Sequence, residues 1–314
     1  MYGNGKKKPP ATHIVGTWAD HTSGSVELWS ISADGTQQIV SVPVDSDTLA
    51  VTAVPTPTGA SLLASSHADG TVRVWSSKLA GLVDQTTPHT MPESGLVVPA
   101  VVLTVPPNRS ELVSIGLDGS VAVVDVVARQ HAVYGKEPAS AIPFEVVGAH
   151  WKSPHELLAV CETGHIYRLD QRDDYNPDCI FVPNRAALQA TVTCSAYYAP
   201  SQTVYVGTDV GLLGWVHLTH ADPQLELSSA VTTPRGAIHA LMQVPGLPDV
   251  VAAACGNATV AVFDFTHGTV VDVVAKDAAG PEELLALAEV PRRLGAVAVA
   301  SDAGGVYVLA LDED

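Results

Sequence analysis

The residues best placed to do chemistry stand in "RLDQRDDYNPDC", Arg168 to Cys179, where Asp170, Asp173, Asp174 and Asp178 gather beside Arg168 and Arg172. Carboxylates at that density offer oxygen ligands to a hard cation such as calcium. The interleaved arginines neutralise them locally, so the segment reads as a solvated loop between strands. The 12 histidines are scattered. His150 in "GAHW" and His239 in "GAIH" stand where a buried imidazole would orient a hairpin, a structural role rather than proton transfer. Cys161, Cys179, Cys194 and Cys255 are separated by 18, 15 and 61 residues. That fits neither a zinc pattern nor a disulfide framework, and the four read as reduced and mostly buried. There is no Gly-x-Ser-x-Gly elbow, no Gly-rich phosphate loop with Lys and no His-x-x-x-His pair. The expectation is a protein without catalytic residues, cofactor or metal.

Composition sets what must position any site. The chain has 314 residues, 46% hydrophobic and 16% charged, with 25 Gly and 22 Pro. A chain of this length buries about three quarters of its unfolded surface. Its longest apolar runs, Val97 to Val105 and Val250 to Cys255, stop well short of the ~18 residues of a membrane helix, so no membrane insertion is expected. The start, "MYGNGKKKPP", has Lys6, Lys7 and Lys8 but no apolar stretch after them, which is not a secretory signal. A cytosolic or nuclear site follows, and the sequons at Asn108 and Asn257 then carry no glycan. The lysine triplet beside proline reads as a disordered tail rather than an import signal. A net charge of -17 opposes direct binding to nucleic acid.

One signature recurs along the chain: a short apolar run, a turn with glycine, then an alternating strand ending on a large apolar residue. It closes on Trp29, Trp75, Val124, Leu169, Val216, Phe263 and Leu309, at intervals of 46, 49, 45, 47, 47 and 46 residues. That period matches four strands per blade in WD40 repeats. The fold class expected is all-β, a seven-bladed WD40 β-propeller over residues 13–314, with residues 1–12 a disordered basic and Pro-rich tail. Gly24, Gly70, Gly119, Gly164, Gly211 and Gly304 hold the turn position, with Ala258 the exception in the sixth repeat. The seven terminal residues read as blade anchors. The acidic position after the anchor survives at Asp125, Asp170 and Asp264, while Ser76 follows Trp75.

Counting strands exposes a weak seam. No apolar segment precedes the first signature to form an inner strand, and "MYGNGKKKPPAT" opposes one through its prolines and lysines. After the last signature only "LDED" follows. An inner and an outer strand are therefore missing where the ring closes, leaving unpaired edges. Irregular residues, a partner strand or a longer natural chain would supply them.

The outer signatures resemble the 43-kilodalton WD-repeat nucleoporin family of the Y-shaped nuclear pore scaffold. "HIVGTWADHTSGSVELWSI" is similar to that family's first blade, and "ELVSIGLDGSVAVVD", "ELLAVCETGHIYRLDQR" and "AVAVASDAGGVYVLALDED" to its third, fourth and last. The family's longer amino-terminal segment is absent here, and Leu169 stands where it has Trp. The resemblance implies a noncatalytic scaffold subunit at the nuclear envelope that docks on an α-solenoid nucleoporin, beside other propeller nucleoporins, with a mitotic kinetochore role. The 37-kilodalton propeller nucleoporin is the nearest confusable relative. A rival reading comes from "RLDQR", which resembles the Trp-Asp-x-Arg box of cullin ubiquitin ligase receptors, with Asp170 and Arg172 retained.

Overall fold

Strands that are apolar on both faces need a neighbour on each side, and such runs recur here at every period. The computed structural model describes residues 12–310 except 20–23, 33–34, 58–60, 92–93, 108, 136–139, 185–187, 229–235, 248, 266, 275–282, 291–295 and 302–305. Gly304 and the tail 1–11 lie outside the described residues, and the first strand begins at Thr12.

The described strands form seven antiparallel meanders in chain order. The first sheet joins β1 (Thr12–Ala19), β2 (Gly24–Ser32) and β3 (Gly35–Val44). The second joins β4 (Thr48–Pro55), β5 (Ser61–His67), β6 (Val72–Trp75) and β7 (Leu82–Thr86). The third holds β8 (Ala100–Thr104), β9 (Glu111–Gly116), β10 (Val121–Asp125) and β11 (Gln130–Tyr134). β12 (Val146–Trp151), β13 (Glu156–Cys161), β14 (Ile166–Asp170) and β15 (Pro177–Phe181) make the fourth. The fifth contains β16 (Val192–Tyr198), β17 (Thr203–Thr208), β18 (Leu213–His217) and β19 (Leu225–Leu227). The sixth contains β20 (Ile238–Gln243), β21 (Val250–Cys255), β22 (Thr259–Asp264) and β23 (Thr269–Val274). The last has three strands, β24 (Leu284–Glu289), β25 (Ala296–Ser301) and β26 (Val306–Ala310).

An apolar cluster fills each junction between consecutive sheets. Val204, Val206 and Val216 of the fifth sheet pack on Leu158, Val160 and Ile166 of the fourth. Tyr205 and Leu213, on the opposite face, pack on Val251, Ala253 and Phe263 of the sixth. Alternate residues of one strand thus serve two neighbours, which is why these strands read as unbroken apolar runs. Similar clusters join the first and second sheets through Val26 and Trp75, and the sixth and last through Ala252 and Val297. The circle closes where Ile31 of β2 packs on Ala296 and Ala298 of β25. Truncating one such fully buried side chain, Leu157 for instance, costs about 2–5 kcal/mol.

Each large apolar residue at the end of a third strand packs on the sheet before it. Trp75, Val124, Leu169, Val216 and Phe263 are all buried. Leu309 is partly buried on the sixth sheet's cluster. At the seam Ile31 fills this place, two residues beyond Trp29. The Trp29 ring is half-buried, and its Nε1 donates to Glu27 Oε2 at 2.9 Å.

Gly70, Gly119, Gly164 and Gly211 take φ of 75° to 81° in their hairpins, whereas Gly24 simply opens β2 opposite Ala19. A Cβ on Gly119 would stand 2.0 Å from Ile142 O. Ala258 occupies the same slot at φ 62°, a conformation that costs an L-residue about 1–2 kcal/mol. Gly119→Ala is therefore expected to lower unfolding free energy by at least about 2 kcal/mol, and Ala258→Gly to raise it by about 0.5–1 kcal/mol, in urea titrations.

Within the described residues β1 has no neighbour on its inner side and β26 none on its outer side. The β2–β3 hairpin, with strands of 9 and 10 residues, reaches across this gap. Thr36 Oγ1 of β3 donates to Val306 O on β26 at 3.1 Å, satisfying one carbonyl of that strand. Amide exchange is expected to be faster in β1 and β26 than in β9, β13 and β17, whose amides are paired on both sides; equal protection by mass spectrometry would contradict the open edges.

Candidate functional site

The residue after four of the anchors caps the turn that follows, and this decides how the Asp170 and Arg172 pair is read. Ser76 Oγ accepts from Ala80 N, Asp125 Oδ1 from Val127 N and Ala128 N, and Asp264 Oδ1 from His267 N, at 2.8–3.1 Å. Asp170 does the same for the 3-10 turn Gln171–Asp173, accepting from Arg172 N at 2.8 Å. Arg172 then folds back so that Nε and Nη2 donate to the two Asp170 oxygens at 2.9 and 2.6 Å. Those side-chain bonds pull the Asp170 carboxyl down to about 2. The two groups satisfy each other, in a capping role that three other sheets share. Asp178 is likewise engaged by Arg168 at 2.6 Å.

Inside the sheets two imidazoles tie turns to strands. His67 Nε2 meets Ser65 Oγ at 2.9 Å, Ser65 Oγ accepts from Trp75 Nε1 at 2.8 Å, and His67 Nδ1 meets Thr48 Oγ1 at 3.3 Å. His89 comes from the connection before β8 and reaches Ser120 Oγ and Ser114 Oγ at 2.7 and 2.9 Å. Asp118 in turn accepts from Ser120 N and Oγ. Sequence reasoning did not single out His67 or His89. The available signal was Ser65 two residues before His67, and Asp-Gly followed by Ser120, whose hydroxyl holds the His89 ring. His150, which it did single out, bridges the fourth and fifth sheets through Ser195 Oγ at 2.9 Å. His239 is partly exposed and faces Glu283 at 3.5 Å.

All four thiols are free, and Cys179 alone is exposed. Burial pushes Cys161 and Cys194 up to about 12, which keeps them protonated and unreactive. Among the described residues no group of three or more His, Cys, Asp or Glu is placed to hold a metal ion. No described helix is long and apolar enough to cross a membrane.

Two surfaces have the shape and chemistry to bind something. One is the face carrying the hairpin turns. Pairing of Thr48 with His67, Ala100 with Gly116, Val192 with Thr208 and Leu284 with Ser301 brings the start of each first strand to the same end as those turns. Leu49, Met91, Leu96, Leu117, Val210 and Leu285 stand exposed there, Leu96 at 61%. The other is a cavity of about 380 Å³ between the fifth and sixth sheets, at the opposite end. Tyr205, Trp215 and Phe265 wall it, with ring centroids 5.2 Å apart for Tyr205 and Phe265 and 5.0 Å for Trp215 and Phe265.

No protein-family model matches the chain, and no curated protein matches it. Among solved structures, a chain of the crystal structure of a mitotic checkpoint complex superposes with a TM-score of 0.64 over 94% of this chain and 86% of that one, at 14% identity. The fold is an all-β propeller. At that identity the likeness concerns the ring of sheets alone. It agrees with the all-β class and with the repeat signature, and the propeller takes up nearly all of the described chain.

Burial lowers both His67 and His89 from 6.5 to about 4, with Asp69 and Asp118 opposing the shift. Above pH 6.5 folded and unfolded chains both hold these rings neutral, and the contribution to stability is complete. Between 6.5 and 4 the unfolded chain takes up protons that the propeller refuses. Stability is then lost at about 1.4 kcal/mol per pH unit for each ring. The urea midpoint is expected to fall from pH 7 to pH 5, and His89→Gln to flatten that dependence while lowering stability at pH 7; an unchanged slope would contradict the assignment.

Proposed function

We propose that the chain is a noncatalytic assembly scaffold, a seven-bladed propeller in which each three-stranded sheet at the seam counts as a blade. In this reading it is a subunit of the Y-shaped outer-ring complex of the nuclear pore, at the nuclear envelope, docking on an α-solenoid partner.

The observation that carries it is the apolar decoration of the turn face. Exposed leucines and valines rimmed by Asp69, Asp118, Glu162 and Asp209 suit the apolar stripe of a helix with basic flanks. The first-blade resemblance to the WD-repeat nucleoporin family supports the choice of assembly. Use of a similar ring in a mitotic checkpoint complex supports protein partners as the class. The closed pair of Asp170 and Arg172 gives the ligase-receptor reading little to present to an adaptor.

Affinity purification of the tagged full chain from cells at native mass is expected to recover solenoid and propeller nucleoporins in stoichiometric amounts. Leu96→Asp with Leu117→Asp is expected to cut that recovery at least tenfold, an estimate on the order of two lost hot-spot contacts, with the thermal midpoint unchanged. Recovery of a ubiquitin-ligase adaptor instead, lost on Asp170→Ala, would overturn the reading.

A further inference from the structure

The cavity between the fifth and sixth sheets holds an arrangement that blade packing does not require. Tyr205 is 3% exposed and belongs to the inter-sheet core. Trp215 and Phe265 are only partly covered, and Phe265 lies just beyond β22, where it stands edge-on to Trp215 at 71°. Glu226 of β19, opposite Trp215 in the ladder, and Asp249, just before β21, complete the lining. Neither carboxylate makes an ion pair or side-chain hydrogen bond among the described residues, and neither Lys nor Arg lines the space. Burial raises the Tyr205 hydroxyl to about 12, with the Asp249 charge adding to it; the ring therefore stays neutral beside that anion. His217, the remaining ring of the lining, is held by Thr203 Oγ1 at 2.8 Å.

Three aromatic rings line the cavity, and two carboxylates with no partner among the described residues add formal charge, a combination that selects a cation. Its shape follows from the walls. A flat guanidinium stacks on a ring while its in-plane N–H groups reach a carboxylate bidentately, and its aliphatic stem lies along apolar surface. A compact ammonium is held by its hydration shell and gains less from the rings. At about 380 Å³ the space is at the small end for ligand sites, which suits one long side chain better than a cofactor. Nothing in the chain's own described residues fills it, and a chain of net charge -17 attracts basic segments from a distance.

We propose that this cavity is a docking pocket for an arginine side chain presented by an extended segment of a partner protein. It is a second contact surface, opposite the turn face, and it stands whether or not the assembly is the nuclear pore.

The test is a calorimetric titration of the full chain with three blocked pentapeptides identical but for a central arginine, lysine or citrulline. The arginine peptide is expected to saturate with a Kd of about 0.1–1 mM. Citrulline, which keeps the shape and loses the charge, should bind at least about tenfold more weakly, and lysine at least about threefold more weakly. Asp249→Asn suits the left-handed φ of 63° at that position because asparagine tolerates it, and it should weaken arginine binding at least about fivefold. Glu226→Gln, on an exposed strand, is the second variant and should act in the same direction with the thermal midpoint unchanged. No saturation by about 10 mM, equal binding of citrulline, or wild-type affinity in both variants would overturn the site. Equal binding of lysine would overturn the guanidinium assignment.

Discussion

Everything in this molecule depends on sheets packing face to face through small apolar side chains. Ala252, Ala253 and Ala254 are completely buried in one strand, the middle one facing the fifth sheet and its neighbours facing the last. A strand so placed has no solvent face, and its side chains must fill two interfaces at once. Bulk on one side displaces a neighbour on that side. The outer strands are released from this constraint, and β11, for example, is largely exposed.

That asymmetry explains how much of the architecture could be read from residue order. The doubly buried strands β5, β9, β13, β17, β21 and β25 are the apolar runs that define the period, and Gly70, Gly119, Gly164 and Gly211 mark the turns after the first four of them. Ala258 shows the limit: backbone geometry is inherited from the repeat even where the residue that favours it is gone. Trp29 misleads for a related reason. Its position in the repeat matches the other anchors, but the first and last sheets, each with three described strands, meet differently from the rest, and Ile31 provides the contact instead. A periodic pattern describes equivalent environments, and the seam is not equivalent.

Sites are less legible than elements because they join residues from unrelated segments. Asp170 and Arg172 stand close in sequence and attract notice, yet the geometry shows a capping carboxylate held by its own neighbour. Tyr205, Trp215, Glu226, Asp249 and Phe265 share no spacing, and only the approach of two sheets assembles them. The alternation along β18 held a hint. Val216 faces one neighbour, so Trp215 must face the other, where it stands only partly covered beside the cluster that joins the fifth and sixth sheets. His67 and His89 are concealed in a similar manner, since Thr48 comes to His67 from another strand and Ser114 and Ser120 come to His89 from 25 and 31 residues away.

The long β2–β3 hairpin gives the ring a mechanical character. The described chain starts in the first sheet and finishes in the last, so a load applied between its two ends is borne by the junction of those sheets. There the described bonds are apolar contacts and the side-chain clasp from Thr36, not a continuous ladder of backbone pairs. Tension would part that junction first and leave the other sheets intact, making the assembly a clasped bracelet rather than a forged hoop.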